Sequence, residues 1–255
     1  MTEEIDSLGK GPYRSDGRLI ISYPKSGRTW IRFALLQAGI DARISHAAAS
    51  SNPREIGLPF RGIPPSLEGV PLVFLHRHPI DTAVSMFYQT TRRNFYPGRM
   101  RWFRQWLPLA LRGALPPRDI DAFVLSPYYG MPKLCAFNRA WLDYLAGRED
   151  CLILTYEAMR ADAPAGFQRL LDFWKINSTN GAALAEASDF AKMRAAELAR
   201  TGKSADDSQS LKTRKAKVGG YIDELRPETI ARCREIAAGF GFPIEPPAGS
   251  SRGGH

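Results

Sequence analysis

The sequence predicts an α/β protein of one domain, in which helices flank an open parallel β-sheet. Three short apolar runs, near residues 19–21, 71–76 and 151–156, have the composition of buried strands, and a helical pattern follows each of them. Strands that alternate with helices are typical of parallel sheets. Basic loops follow the first two runs, and ligands of such sheets bind beyond the carboxyl ends of the strands. The length of 255 residues suits one such domain.

The overall charge indicates anionic partners. The formal net charge is +9, while the hydrophobic content of 44% is ordinary for a globular protein. Nucleic acid, an anionic membrane surface, an acidic glycan and a nucleotide with several phosphates would all suit this charge. Charge alone does not choose among them, so the choice rests on the motifs.

Cysteine usage and the amino terminus predict a reducing, cytoplasmic location. Cys135, Cys151 and Cys233 are odd in number and lack metal-ligand spacing, so we expect buried thiols. The first 17 residues lack the apolar segment of a secretory signal, and no apolar run is long enough to span a bilayer.

The first strand pattern leads into a loop that is suited to bind an anion. Pro24 ends the apolar run, Gly27 permits a tight turn, and a helical pattern begins between residues 26 and 28. The N–H groups and dipole of a helix N-terminus attract a phosphate, and Lys25 adds a full positive charge. In the common nucleotide-binding loop, four variable residues separate a first glycine from Gly-Lys-Ser/Thr. Here Lys25 precedes Gly27 and no acidic metal ligand is apparent, so we expect no metal.

A second basic loop follows the strand pattern at 71–76. Arg77 comes directly after this strand, where it can bind a second anion, and Ser85 lies eight residues further on. Pro79 and Asp81 are typical of the first turn of a helix. The sequence therefore contains two anion-binding loops, each between a strand and a helix.

Both loops resemble motifs of the sulfotransferases that use 3′-phosphoadenosine 5′-phosphosulfate (PAPS). Residues 23–30, Tyr-Pro-Lys-Ser-Gly-Arg-Thr-Trp, resemble the 5′-phosphosulfate loop of that family, and residues 77–85, Arg-His-Pro-Ile-Asp-Thr-Ala-Val-Ser, resemble its 3′-phosphate motif. His78 replaces a small polar residue that is more usual there. The resemblance implies the P-loop NTPase-like sulfotransferase fold, PAPS as donor, 3′-phosphoadenosine 5′-phosphate (PAP) as product, and no metal.

Later segments extend the resemblance. Tyr156 and Glu157 follow the third strand as in the family, and residues 188–193 resemble the segment that lies against the purine. Residues 211–221 resemble the C-terminal segment that closes on the 3′-phosphate, although Ala216 replaces its first glycine. If that glycine needs a positive φ, the loop holds the phosphate differently here.

The resemblance implies roles for individual side chains. The expected catalytic residues are Lys25, His46 and Ser85. The expected nucleotide-binding residues are Lys25, Ser26, Gly27, Arg28, Thr29, Trp30, Arg77, Ser85, Tyr156, Ser188, Phe190, Met193, Thr213, Arg214 and Lys215.

The general base is open between a histidine and a carboxylate. His46 is the only histidine between the two motifs ahead of the second strand, and the pKa of histidine suits acceptance of a hydroxyl proton. A lone histidine in a loop is more often a surface or capping residue. Cytosolic relatives place a histidine in this interval, whereas glycan-modifying relatives use a glutamate, so Glu55 and Glu68 compete with our choice of His46.

Between the second and third strands lies a basic and aromatic insertion, predicted at 90–118. Its arginines alternate with large aromatic residues and leucines. This pattern predicts either a helical insertion with solvated arginines or, through 92–112, a contact with an anionic membrane or glycan at the inner membrane face. We expect no nucleic-acid partner. The predicted domain spans 18–245, with flexible tails at 1–17 and 246–255.

The motifs together predict transfer of a sulfuryl group from PAPS to a hydroxyl, less readily an amine, of an acceptor such as a glycan, a lipid or a small molecule. This chemistry needs charge stabilisation, in-line positioning and a base. Two alternatives remain at this point. A P-loop kinase-like phosphotransferase would need a metal and the common loop order, and a non-catalytic polyanion-binding protein would explain the charge.

Overall fold

The structure is a computed structural model that describes residues 17–47, 60, 62–93, 107, 109–111, 113, 115–201, 218–242 and 244. Some predictions fall outside these residues: the tails, most of the insertion at 90–118, and four of the residues considered for the site. Those four are Glu55, Thr213, Arg214 and Lys215.

A four-stranded parallel sheet forms the centre of the fold. The strands are β1 (Leu19–Ser22), β2 (Arg43–Ser45), β3 (Leu72–His76) and β4 (Cys151–Thr155), in the order β2-β1-β3-β4. The three predicted strands are confirmed to within one residue. The sequence analysis did not identify β2, which pairs with β1 through Ile44 opposite Ile20. Its three residues contain a single apolar side chain, which is too short a pattern to show a period.

Helices fill the connections between the strands. The described helices are α1 (Arg28–Gln37), α2 (Pro79–Tyr88), α3 (Ile120–Leu125), α4 (Met131–Leu145), α5 (Tyr156–Ala161), α6 (Ala163–Phe173), α7 (Gly181–Ala187), α8 (Phe190–Thr201) and α9 (Pro227–Gly239). Shorter turns lie at Pro65–Leu67, Gln89–Arg93 and Gly220–Asp223. The predicted start of α1 between residues 26 and 28 is confirmed.

Strand side chains alternate between two faces, so helices cover the sheet on both sides. Ile20 and Val73 pack in one apolar cluster with α1, α6 and α7. Leu72 and Phe74 pack in the other, with α2, α4 and α9. Cys135 and Cys233 are buried in this second cluster, where burial raises the pKa of both thiols to about 12. All three cysteines are free thiols, and Cys151 is partly exposed.

The chain leaves β1 and β3 toward opposite faces of the sheet. The helix after β1 packs in one apolar cluster, and the helix after β3 packs in the other. Since β1 and β3 are neighbours, a crevice opens between their carboxyl ends. The two predicted anion-binding loops lie at this crevice. Within the described part of the chain, no helix is long and apolar enough to cross a bilayer.

Candidate active site

The loop after β1, residues 23–27, is shaped by its backbone; we call it the Lys25 loop. Lys25 has a φ of 75° and Gly27 a φ of 100°, both in the left-handed region. A Cβ atom at Gly27 would lie 2.4 Å from Cδ2 of Tyr156, so only glycine fits here. Because a glycine precedes α1, no capping side chain covers the first-turn N–H groups. The N–H of Trp30 bonds to the carbonyl of Gly27. The N–H groups of Arg28 and Thr29 are therefore the candidate anion donors of this turn, next to the half-buried Lys25.

Residues 77–78, the Arg77 loop, meet the Lys25 loop across the crevice. Nη1 of Arg77 donates to the carbonyl of Lys25 at 3.4 Å. The guanidinium carbon of Arg77 lies 4.6 Å from the ring centroid of Tyr156, a cation–π contact. The backbone N–H of His78 donates to Oε1 of Glu157 at 2.9 Å. The structure thus brings the two predicted cationic residues, Lys25 and Arg77, to the same place.

Tyr156 connects the two loops. Its side chain is 6% exposed, and its ring contacts Gly27 on one side and Arg77 on another. Trp30 meets this ring edge-on at 6.1 Å between centroids. Burial raises the pKa of the Tyr156 hydroxyl. The predicted nucleotide-binding tyrosine is therefore also the packing surface that sets the spacing of the loops.

The residues predicted to surround an adenine lie together on the α1 side of the sheet. Trp30, Tyr156 and Met193 belong to one buried cluster, and Phe190 is half-buried at the start of α8. Nε1 of Trp30 donates to Oγ of Ser188 at 3.0 Å, and that hydroxyl donates to the carbonyl of Leu184 at 2.7 Å. Ser188 therefore orients Trp30, and its contact with the nucleotide stays a prediction.

His46 lies directly after β2 and is held against β1. Its Nδ1 is 2.9 Å from the carbonyl oxygen of Ser22, and since a carbonyl only accepts, Nδ1 carries the proton. Nε2 is therefore the basic nitrogen, and it is buried without a hydrogen-bond partner among the described residues. Burial and the nearby guanidinium of Arg28 lower the pKa of His46 to about 3. The side chain is neutral at physiological pH, as a proton acceptor must be.

Of the two carboxylates considered as the base besides His46, one is described by the structure. Glu68 is exposed and comes four residues before β3, at the amino ends of the strands. The crevice lies at the carboxyl ends, so Glu68 and Lys25 lie toward opposite ends of the strands. Glu55 lies outside the described residues.

Comparison with known proteins decides the family. The profile of the sulfotransferase domain matches residues 36–239. The chain belongs to the sulfotransferase family. The matched range starts after the Lys25 loop, so the shape of that loop is an independent observation. Among curated protein sequences, none matches this sulfotransferase significantly.

Solved structures agree with this fold. Mouse sulfotransferase SULT7A1, crystallised with PAP, has a TM-score of 0.58 and 20% identity, over 94% of this chain and 88% of that one. Retinol dehydratase, crystallised with androsterone and PAP, has a TM-score of 0.56 and 17% identity, over 94% of this chain and 85% of that one. The sheet and the flanking helices are therefore the P-loop NTPase-like architecture that the sequence predicted.

Three of the nine buried polar atoms without a hydrogen-bond partner among the described residues of the sulfotransferase lie close to the crevice. Oγ of Ser22, Nε2 of His46 and Nδ1 of His78 lack hydrogen-bond partners among the described residues. All three residues lie at the carboxyl ends of β1, β2 and β3. A polar ligand in the crevice could satisfy them. No group of three or more His, Cys, Asp or Glu within the described residues could hold a metal ion.

The remaining predicted residues lie at the start of α1 and in α2. Ser26 is buried, Arg28 is half-buried and Thr29 is exposed at the start of α1. Ser85 is half-buried in α2, one helical turn after Asp81 and on the same face.

Sequence reasoning missed two residues that support the Arg77 loop. Asp81 was expected only to favour the helix N-terminus, yet it is 3% exposed and accepts hydrogen bonds from the backbone of Gly219 and Tyr221. Glu157 was noted only as part of a motif, yet it holds the backbone of His78. An acidic residue beside each motif was the available signal, but its partner could not be identified from spacing.

Proposed function

We propose that this sulfotransferase transfers a sulfuryl group from PAPS to a hydroxyl group of an acceptor, with His46 as the general base. The observation that carries the proposal is the meeting of Lys25 and Arg77 at one crevice, with the unprotonated Nε2 of His46 at the end of the adjacent strand. Two related folds were crystallised with PAP, the product of such a reaction.

The described residues fit a bisphosphate nucleotide. The Lys25 loop offers first-turn N–H groups and an ammonium group for the 5′-phosphosulfate, and the glycine at position 27 lets the ring of Tyr156 pack against the loop. Arg77 and Ser85 would hold the 3′-phosphate. Thr213, Arg214 and Lys215 remain predicted partners of that phosphate outside the described residues. The side chains proposed to surround the adenine are Trp30, Tyr156, Phe190 and Met193.

Bound PAPS would supply an activated sulfuryl group, with PAP as the leaving group. His46 would accept the hydroxyl proton at Nε2 while its Nδ1–H stays bonded to Ser22. The acceptor oxygen forms its bond to sulfur as the bond from sulfur to the 5′-phosphate oxygen breaks. Lys25 and the first-turn N–H groups would stabilise the charge that develops on that oxygen.

The low pKa of His46 suits a base that is adjusted by its ligand. Burial and then Arg28 lower this pKa to about 3 in the free protein. A bound phosphosulfate would place negative charge beside Arg28 and so offset its effect. We therefore expect the pKa of His46 to rise when the donor binds, while burial continues to lower it.

The acceptor is proposed to be a hydroxyl-bearing glycan, lipid or small molecule. Contact of 92–112 with an anionic membrane or glycan also remains a prediction, since most of this segment lies outside the described residues. Within it, Leu111 is 80% exposed, which fits an apolar contact surface.

Calorimetric titration of PAP, with ATP and magnesium as the comparison ligand, tests the donor site. We expect PAP to bind much more tightly than ATP, and Arg77→Ala to weaken PAP by about 10- to 100-fold because a charge-assisted contact is lost. Equal binding of ATP with magnesium, or no binding of PAP, would exclude the proposal and favour the kinase-like alternative.

A transfer assay with radiolabelled PAPS and a panel of phenols, sterols and saccharides tests the base. His46→Gln should bind PAP as the wild type does, while transfer falls by about 10²- to 10⁴-fold. Unchanged transfer in His46→Gln would exclude His46 as the base.

A further inference from the structure

Asp81 lies between the Arg77 loop and a distant part of the chain. Its carboxylate is buried in the first turn of α2. Oδ2 accepts from the backbone N–H of Gly219 at 2.7 Å, and Oδ1 accepts from that of Tyr221 at 3.2 Å. These residues are 138 and 140 positions away in the sequence. One side chain therefore fixes the turn at 219–221 against α2.

The same carboxylate also faces Arg77. Oδ2 of Asp81 lies 3.9 Å from Nη2 of Arg77, which is a loose ion pair. This guanidinium also contacts the ring of Tyr156 and the carbonyl of Lys25. Three elements of the fold therefore define where Arg77 points.

A buried carboxylate beside Arg77 is electrostatically unfavourable for an anion site. It reduces the net positive charge that a phosphate would meet, and burial of a charge is costly unless hydrogen bonds compensate. The N–H groups of Gly219 and Tyr221 provide that compensation. The carboxylate of Asp81 thus weakens the attraction of Arg77 for an anion, but specific N–H donors hold it in place. This combination indicates that Asp81 positions other groups and does not attract the ligand.

His78 joins the same turn from the other side. Its ring stacks on the ring of Tyr221 at 5.0 Å with an interplanar angle of 5°. Its backbone N–H is held by Glu157, so the loop is supported on both sides. Asp81 and His78 thus make separate contacts to the turn at 219–221, one to its backbone and one to a side chain.

We propose that Asp81 is a positioning residue that holds the Arg77 loop and the 219–221 turn as one unit, and that this unit sets the preference for a 3′-phosphorylated nucleotide. The proposal rests on the donor site proposed above. Asp81 would act through Arg77 and the turn, without touching the nucleotide.

The chain provides a matched control for this residue. Asp121 is also a buried aspartate in the first turn of a helix, α3. It accepts from the backbone N–H and from Nε of Arg226, both at 3.1 Å, and so holds the same C-terminal segment. Asp121 differs from Asp81 in binding the start of α9 instead of the turn beside Arg77.

The experiment compares affinities for PAP and for 5′-AMP, which lacks the 3′-phosphate, by calorimetry. Asp81→Asn should lower the ratio of the PAP affinity to the AMP affinity by about tenfold, since residues in one network couple. Asp121→Asn should lower the melting temperature but leave this ratio within about twofold. In a protein that already carries Arg77→Ala, Asp81→Asn should change the ratio by less than about twofold, because the guanidinium through which Asp81 acts is absent.

The outcomes separate this proposal from the donor site itself. Equal losses of PAP and AMP affinity in Asp81→Asn, or effects of Asp81→Asn and Arg77→Ala that simply add, would overturn the positioning role. A wild-type protein that binds PAP no better than AMP would instead overturn the donor site. Should Asp81→Asn not fold, His78→Ala removes the stack on Tyr221 and should lower the same ratio by about threefold. An unchanged ratio there would contradict the idea of a single unit.

Discussion

The Lys25 loop takes its shape from its own backbone, whereas the Arg77 loop takes its shape from side chains, two of which belong to a helix far away in the sequence. The first depends on positive φ angles at Lys25 and Gly27 and on a helix N-terminus that follows at once. The second is held by Asp81, Glu157 and Tyr156, which belong to α2 and α5. Both loops supply a cation to the same crevice.

This difference predicts how each loop responds to substitution. A loop that depends on one backbone conformation fails when a single position cannot adopt it. A loop that several side chains support loses a part of its function with each of them. We therefore expect abrupt effects in the Lys25 loop and graded effects in the Arg77 loop.

The largest effect is expected for Gly27→Ala. The new Cβ would lie 2.4 Å from Tyr156 in a residue whose φ is 100°, so both the ring and the backbone must move. We expect a loss of about 2–4 kcal/mol in the free energy of unfolding and loss of PAP binding. Urea denaturation and calorimetry measure these quantities.

Gly39→Ala is the matched control for strain alone. Gly39 has a φ of 67°, and a Cβ atom added there would meet nothing within 4 Å. The free energy of unfolding of Gly39→Ala should fall by about 1 kcal/mol, and its PAP binding should be unchanged. Equal losses in the two variants would show that contact with Tyr156 does not limit the Lys25 loop.

Lys25→Gly should separate stability from activity. Glycine removes the strain of a φ of 75°, so the free energy of unfolding should stay the same or rise by up to about 1 kcal/mol. Sulfuryl transfer should fall by about 10²-fold or more, because the cation at the breaking bond is lost.

Lys175→Gly is the control for this second variant. Lys175 is exposed after α6 and has a φ of 54°, far from the crevice. Lys175→Gly should raise the free energy of unfolding by a similar amount, and its rate of sulfuryl transfer should be unchanged. If Lys25→Gly retained activity, the Lys25 loop would bind by its backbone alone.

A half-buried histidine belongs to the surroundings of each loop, His46 beside the Lys25 loop and His78 in the Arg77 loop, and acid should distinguish the two. Burial lowers the pKa of His46 and of His78, so the unfolded chain binds more protons than the folded one. Stability is therefore complete above the unfolded pKa of about 6.5 and is lost as the pH falls. For His46 the loss continues down to about pH 3, at up to about 1.4 kcal/mol per pH unit.

The two histidines should contribute unequally to the loss of stability at low pH. Asp81 and Glu157 act to raise the pKa of His78, in opposition to burial and to Arg77 and Arg234. His46→Gln should therefore flatten the dependence of unfolding free energy on pH between 6.5 and 4.5 more than His78→Gln does. Urea denaturation at several pH values measures both slopes, and a larger change in His78→Gln would contradict this ranking.

The smallest effect is expected for Tyr156→Phe. The ring that contacts Gly27 and Arg77 remains, so PAP affinity should change by less than about threefold. Tyr156→Leu removes the cation–π contact and should weaken PAP by about tenfold. A large loss in Tyr156→Phe, measured by calorimetry, would mean that the hydroxyl itself binds the nucleotide.

The same difference explains what could be predicted from the sequence. The Lys25 loop is local, so Pro24 and Gly27 indicated its turn and the start of α1 correctly. A main support of the Arg77 loop is not local, since His78 and Glu157 are 79 residues apart. No pattern in the sequence connects such a pair.

The strand β2 and the role of Ser188 show two further limits. β2 forms because Ile44 pairs with Ile20 in a sheet that is already present, and its three residues do not indicate a strand by themselves. Ser188 was placed by resemblance to a purine-binding segment, and the structure shows its hydroxyl engaged with Trp30 and Leu184. Tertiary contacts determine both the strand β2 and the hydrogen bonds of Ser188, and such contacts are visible only in the folded chain.

The short strand β2 has a consequence for engineering this enzyme. His46 keeps its place because the pairing of Ile44 and Ser45 with β1 brings the ring to the carbonyl of Ser22. A deletion of one residue between α1 and β2 would reverse which face of the sheet each side chain meets, and would carry the imidazole away from the crevice. Changes of length beyond Ala47 would leave this pairing intact. Such changes would therefore leave the imidazole of His46 in register with the carbonyl of Ser22.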